Sequence, residues 1–426
     1  MRGFAPYVTQ LQNLADELLT NPGAVLVKKE QIHSALNGGP AAAVRKLIPL
    51  STQRSTGTFF TGENILERLS GTVSSTASER IFDPACGTGN LLLFQSQALP
   101  IFATVEETLE HWNNWLSGRD LHPEFISAAK ARLVLSLIQR SPNIPAAPQL
   151  RTRDLFPNIS VGDGLASDDF RPASRIILNP PFHKVRAPKD CSWGAGKVSA
   201  AALFLEVCLN KSEEGTKVTA ILPDVLRSGS LYAKWREQIA AKVVIDRLEA
   251  FGEFDQLTDV SVFILCCTKK EQVKDQAVSW WKPAVRSTVG DLCSVSVGSV
   301  VPFRDKEIGP NRRYVQPKGL ARWETVRDVK EMRRFRGTAV QTPFVVVRRN
   351  SRFEDKYRAT ATIIAGEGPV FVENHLVIIR PKDGTLRTCR KLVALLKKDQ
   401  TNSWLNNRIR CRHLTVSAVK DIPWQN

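Results

Sequence analysis

The chain has 426 residues, enough for two or three domains, and its 42% hydrophobic content is ordinary for a globular protein. The net charge of +17 is unevenly placed: residues 1–275 hold 30 Lys and Arg against 29 Asp and Glu, while residues 276–426 hold 29 against 13. No stretch approaches the apolar length of a membrane span, the eight cysteines form no Cys-x-x-Cys pair, and the six histidines lack ligand spacing, so no membrane, disulfide framework or metal is expected. The opening 37 residues lack the apolar core of a secretory leader, and a reduced, cytoplasmic protein in a prokaryotic cytosol is the expectation.

Leu11, Leu14, Leu18 and Leu19 recur at helical spacing, and a second amphipathic piece spans about residues 31–47, predicting a helical packing layer over 1–54. Residues 55–64 then place a glycine turn before Phe59-Phe60-Thr61-Gly62 and a helical pattern at Ile65, Leu66 and Leu69. A hydroxyl and backbone N–H groups at a helix start bind a carboxylate, and adjacent aromatics cover an adenine; the same residues serve equally as a plain helix cap.

Residues 80–93 predict a strand, a glycine-rich turn and a helix start, with Asp83-Pro84-Ala85-Cys86-Gly87-Thr88-Gly89-Asn90 at the bend. Gly87 and Gly89 allow a ligand close to the backbone. Leu92 stands where a dinucleotide fingerprint has its third glycine, and the Asp83 carboxylate would repel a pyrophosphate; it suits an amino-acid ammonium instead. A second strand ends on Asp120, where nucleoside-binding α/β folds grip a ribose diol, and a helix over 122–139 follows. A third ends on Asp163, placed to accept from an adenine amine. One aspartate at a strand end is usually a turn former, but this ordered set is harder to obtain by chance.

Residues 175–178 predict a buried strand that breaks into Asn179-Pro180-Pro181-Phe182. The prolines fix φ and donate nothing, so the Asn179 side chain and the Pro180 carbonyl offer oxygens and Phe182 offers a flat face, a pocket for the amine of a planar base. A plain Pro-Pro turn is the alternative. Helices over 200–210 and 230–241 alternate with strands over 216–222, 243–248 and 260–267. This is the pattern of an α/β, doubly wound, mostly parallel sheet with ligands at the carboxyl ends of its strands.

With these motifs in this order, residues 55–270 resemble the S-adenosylmethionine-dependent amino DNA methyltransferases, specifically the gamma-arranged adenine-N6 group of the N-6 DNA methylase family found in type II restriction-modification systems. One departure is Gly62, where the family frequently has Pro. The resemblance implies a Rossmann-like methyltransferase fold with a seven-stranded sheet over 55–275, and a site-specific transfer of a methyl group to a flipped adenine. The cofactor, S-adenosyl-L-methionine, leaves as S-adenosylhomocysteine. Around it the resemblance places Phe60, Thr61, Asp83, Pro84, Ala85, Gly87, Gly89, Asn90, Asp120, Leu121, Asp163, Gly164 and Asn179. Asn179, Pro180, Pro181 and Phe182 take the catalytic role, and Phe182 with Phe254 stacks on the base, although Phe251 could serve in place of Phe254.

Residues 276–426 faintly resemble a target-recognition domain, of mixed α+β structure, opening at 291–299 and closing at 414–423. Between these ends Arg312, Arg313, Arg322, Arg333, Arg334, Arg336, Arg348, Arg349, Arg352 and Arg358 interleave with Trp323, Phe335, Phe344, Phe353 and Tyr357. Arginine forks onto guanine or phosphate, so this run, with Lys184 beside the catalytic turn, is the expected DNA contact. The partners implied are double-stranded DNA and a cognate restriction endonuclease acting on the same site. Two rivals are a methyltransferase of RNA or of protein glutamine, whose similar turn usually ends in Tyr and which lacks a large basic domain, and a DNA-binding protein with a vestigial catalytic domain.

Overall fold

The computed structural model describes residues 2–49, 52, 63–69, 71, 79–255, 258–273, 278, 280–281, 287–410 and 412–424, and falls into two units, Met1–Val278 and Ser279–Asn426. In the first unit α1 (Ala5–Thr20) buries Val8, Leu11, Leu14, Leu18 and Leu19 along one stripe. The predicted second helix is two, α2 (Lys29–Leu36) and α3 (Gly39–Leu47), because Gly38 at φ +80° turns the chain between them. After α4 (Glu63–Arg68) come β1 (Ile81–Asp83), α5 (Asn90–Ser96), α6 (Val105–Trp115), β2 (Leu116–Asp120), α7 (Pro123–Arg140), β3 (Ile159–Val161) and β4 (Arg175–Leu178). Then follow β5 (Lys184–Arg186), β6 (Lys197–Ser199), α8 (Ala200–Lys211), β7 (Lys217–Pro223), α9 (Asp224–Ser228), α10 (Ala233–Ala240), β8 (Val243–Asp255) and β9 (Thr258–Lys269).

Helix α7 is apolar on nearly every side because it is covered on nearly every side. The α1 leucines share its core cluster, and the Phe4 ring meets Phe125 edge-on at 5.6 Å. Seven strands form one sheet in the order β3-β2-β1-β4-β7-β9-β8. The first five pair in parallel, joined by crossover connections, and β9 runs antiparallel to both β7 and β8. The doubly wound, mostly parallel sheet expected from the sequence is therefore present. Strand β8 outruns its predicted end at residue 248: register shifts between Ile245 and Arg247 and between Ala250 and Gly252 bend it while pairing continues to Asp255.

The second unit begins with α11 (Val289–Leu292), β10 (Cys293–Val297), β11 (Asn311–Val315), β12 (Thr325–Val326), β13 (Met332–Arg334), β14 (Val340–Gln341) and β15 (Phe344–Arg348). It ends with β16 (Ala361–Ile364), β17 (Pro369–Val372), β18 (Leu376–Pro381), α12 (Leu386–Leu396), α13 (Asp399–Arg408) and α14 (Val416–Lys420). A five-stranded sheet, β10-β18-β15-β16-β12, and a four-stranded one, β13-β11-β17-β14, make it α+β. Along β15 the side chains alternate, Val345 and Val347 into the core shared with α12, Phe344 and Val346 into the core shared with Val315, Val370 and Val372. Among the described residues no helix is long and apolar enough to cross a membrane.

Candidate active site

Strands β1 and β4 are neighbours, although β2 and β3 separate them in the sequence, so the winding of the sheet reverses between them. Crevices for ligands open at such reversals, outside the carboxyl ends of the strands. Ile81 pairs with Arg175 and Phe82 with Ile176, so Asp83 and Asn179 close adjoining parallel strands at the same sheet edge, with Asn179 two residues further along.

The bend after β1 is stitched to the ends of β2 and β3. Gly87 (φ +52°) donates its N–H to Asp120 Oδ2 at 3.0 Å, the His122 N–H donates to Asp120 Oδ1 at 2.9 Å, and the Cys86 N–H donates to the Arg119 carbonyl at 2.9 Å. Next door, the Gly162 N–H reaches the Asp120 carbonyl at 3.0 Å, and Leu165 donates to Asp163 Oδ1 at 2.9 Å. Two glycines make this packing possible. A Cβ on Gly89, which holds φ +83° at the start of α5, would stand 2.9 Å from Ala129 Cβ, and one on Gly164 would stand 1.9 Å from the Pro84 carbonyl oxygen.

Asp83 is 1% exposed, and burial pushes its carboxyl up to about 8, against the pull of the Ala85 N–H at 3.1 Å and with a further push from Asp120. Burial likewise raises Asp120. Two acids held this way at one sheet edge form a site that gains from a cation. Their neighbour Arg119 is turned aside onto Asp169 at 2.7 Å.

Asn179, Pro181 and Phe182 are half-buried, Pro180 is buried, and Phe182 packs against the main core cluster. Asp163 is exposed at the crevice edge, and Leu121 is 67% exposed beside Asp120. Val161, 52% exposed at the end of β3 and paired with Asp120, is a further apolar surface there that sequence reading missed, since an isolated valine carries no pattern. The Asn90 side-chain oxygen is already taken, accepting from Arg132 Nη1 at 2.6 Å. Arg132 itself was not foreseen: it lies in the apolar middle of α7, 2% exposed, and also donates to the carbonyls of Thr88, Ala35 and Leu36. Phe60 and Thr61 lie outside the described residues, as does the Phe254 side chain; Phe251 packs against the core.

The sequence pattern of the N-6 DNA Methylase family matches residues 49–281, more than half of the chain. The chain belongs to the N-6 DNA methylase family. Among solved structures, this family member is similar to the type IIL restriction-modification enzyme MmeI, determined in complex with DNA, at 13% identity over 90% of this chain and 70% of that one, with a TM-score of 0.59. The type IIG restriction endonuclease BpuSI aligns at 14% identity over 92% of this chain and 61% of its own, with a TM-score of 0.44. A modification subunit assigned to a type I restriction enzyme of Vibrio vulnificus YJ016 aligns at 17% identity over 54% of this chain, with a TM-score of 0.40, and the alignment spans 49% of that subunit. At these identities the likeness to MmeI shows the fold alone. No curated protein matches the chain in sequence.

In the second unit of this N-6 DNA methylase family member, the predicted DNA-facing arginines divide. Arg334, Arg336 and Arg352 are exposed and Arg312 half-buried, and none forms an ion pair among the described residues. Arg313 donates to the carbonyls of Glu367 and Gly368, Arg348 to that of Leu320, and Arg333 pairs with Glu307 and Glu331 at 2.7 and 2.8 Å. The Nε of Arg349 is buried. Arg358 corrects the sequence reading: it is 1% exposed and holds Ser351, Asn406 and the Ile409 carbonyl, a structural strut and no DNA contact. Phe335 and Phe344 are core residues too.

Proposed function

We propose that the chain methylates the N6 amine of a specific adenine in double-stranded DNA, with S-adenosylmethionine as donor, within a prokaryotic restriction-modification system whose nuclease acts on the same site. One observation carries the reading: the Asn-Pro-Pro-Phe turn and the glycine bend leave the same edge of adjoining strands at the reversal of the sheet.

The donor fits the residues present. Gly89 and Gly164 keep the bend pressed against α7 and the end of β3, contacts that a Cβ would fill. The acids are set for its polar groups: Asp83 for the ammonium, Asp120 for the ribose diol and Asp163 for the adenine amine, with Leu121 and Val161 as apolar cover. When bound, the donor supplies a methyl group on a sulfonium, activated for displacement.

The chain's own residues do the rest. A target base is unreachable inside a duplex, and extruding it costs roughly a few kcal/mol, recovered by stacking on Phe182 and by hydrogen bonds to its amine. Asn179 Oδ1 and the Pro180 carbonyl accept the two amine N–H bonds, which draws the nitrogen toward a tetrahedral shape and presents its lone pair. Positioning and acceptors matched to the developing positive charge lower the barrier, and the proton leaves to water afterwards. Asn179→Ala is expected to abolish N6-methyladenine in a nucleoside digest of treated DNA while binding of DNA largely persists; methylated product from that variant would refute the assignment.

A further inference from the structure

Immediately past Phe182 the chain makes a small hairpin, β5 with β6, whose register sets Lys184 opposite Ser199, Val185 opposite Val198 and Arg186 opposite Lys197. Side chains alternate along strands, so Val185 and the buried Val198 share one face while Lys184, Arg186 and Lys197 share the other, all three exposed. Lys189 follows at the tip, also exposed, and none of these four cations forms an ion pair among the described residues. Like charges directly opposite across a strand pair are destabilising. The hairpin therefore carries a repulsion between Arg186 and Lys197, neither of which is ion-paired among the described residues.

The hairpin is nonetheless held firmly. At its base the Ala200 N–H donates to the His183 carbonyl at 3.0 Å and the Ser199 N–H to Tyr232 Oη at 3.1 Å. Near its tip the Ala187 N–H reaches the Gly196 carbonyl at 2.8 Å, Trp193 is buried and donates from Nε1 to Glu206 Oε2 at 2.7 Å, and Gln238 donates to Ser192 Oγ at 2.7 Å. A fixed array of four cations against one acid, Asp190, with none of the four ion-paired among the described residues and the first of them two residues past the catalytic turn, is complementary to a polyanion lying across that turn.

We infer that the face formed by Lys184, Arg186 and Lys197 is a phosphate clamp that grips the DNA backbone beside the extruded base, a contact made by the catalytic unit itself and separate from the basic second unit. The inference rests on the DNA-methylation reading above. Its place two residues after Phe182 means that the strand whose base enters the pocket is the one whose phosphates the clamp holds.

The test uses the full chain, the triple variant Lys184→Gln, Arg186→Gln, Lys197→Gln, and a mixed-sequence duplex with one unpaired adenine, which is cheaper to extrude. Fluorescence anisotropy over a salt series should give a plot of log affinity against log salt that is flatter by about 2–3 for the variant, since each phosphate contact contributes about 0.9. Its donor affinity should match the parent's, and its melting temperature should equal or slightly exceed that of the parent, since the repulsion between Arg186 and Lys197 is gone. In parallel, the duplex should protect Lys184 and Lys197 of the parent from acetylation read by mass spectrometry. An unchanged slope, or equal lysine reactivity with and without DNA while the parent binds, overturns the clamp and leaves the methylation reading standing; a parent that binds no DNA at all overturns both.

Discussion

Replacing Gly164 by alanine presses on the candidate crevice at its tightest point. The added Cβ would lie 1.9 Å from the Pro84 carbonyl oxygen, 2.6 Å from its carbon and 2.8 Å from its Cα, all main-chain atoms that cannot swing aside. To reach the 3.0 Å at which real contacts begin, the bend or the end of β3 must withdraw by about 1 Å. Overpacking of this kind costs about 1–3 kcal/mol of stability. The displaced segment carries Asp83, Pro84 and Ala85 on one side and Asp163 on the other, and a misplacement of about 1 Å weakens a positioned site up to roughly 100-fold. Calorimetric titration of S-adenosylmethionine should therefore show an affinity loss of about 10- to 100-fold, with thermal unfolding shifted down by a few degrees. Gly162, two residues earlier, is the internal control: its added Cβ would meet only Arg119 Cδ, at an ordinary 3.6 Å, so Gly162→Ala should bind like the parent. Parent-like affinity in Gly164→Ala would mean that the corner between β1 and β3 does not hold the donor.

Two further substitutions read the buried charges. The Asp83 carboxyl is raised to about 8 from an ordinary value near 4, so the folded chain keeps its proton where the unfolded chain has lost it. Its stability contribution is complete below about pH 4 and is lost as pH rises through about 8, so the parent should lose stability relative to Asp83→Asn over that window in denaturant titrations; parallel pH profiles would refute the raised value. Arg132→Met leaves the acceptors of Thr88, Asn90, Ala35 and Leu36 without their donor at once, at about 1–3 kcal/mol for each one that stays buried and unpaired, with weaker donor binding; a total loss in unfolding free energy under about 1 kcal/mol would show these bonds to be idle.

Much of the first unit was legible because its signals are local. A strand that ends in an acid before Gly87 and Gly89, and one that ends in Asn179 before two prolines, announce themselves within a few residues, and alternation of strands with helices then orders the sheet. What escaped depends on distant partners. The continuation of β8 to Asp255 needs β9 alongside it to show where the bulges fall. Nothing local in the helix predicted over 122–139 singles out Arg132; only the carbonyls of α2 and of the glycine bend show where its guanidinium goes. Arg358 looks like its neighbours in a basic run, and only the fold of α13 beneath it, presenting Asn406, reveals a strut. The second unit was the least legible, because β12 and β14 are two residues long and β11 pairs in parallel with β17, more than fifty residues away in the chain.

The hydrogen bonds at Asp120 have a consequence for how a ligand would be received. Both carboxylate oxygens are already anchored by main-chain N–H groups, one from the glycine bend and one from the start of α7, so this side chain arrives with its rotation spent. Immobilising a free side chain on association costs roughly 0.5–1.5 kcal/mol, and here folding has met that expense beforehand. At this corner the crevice is a mould cast in advance, its acceptors already aimed before a ligand arrives.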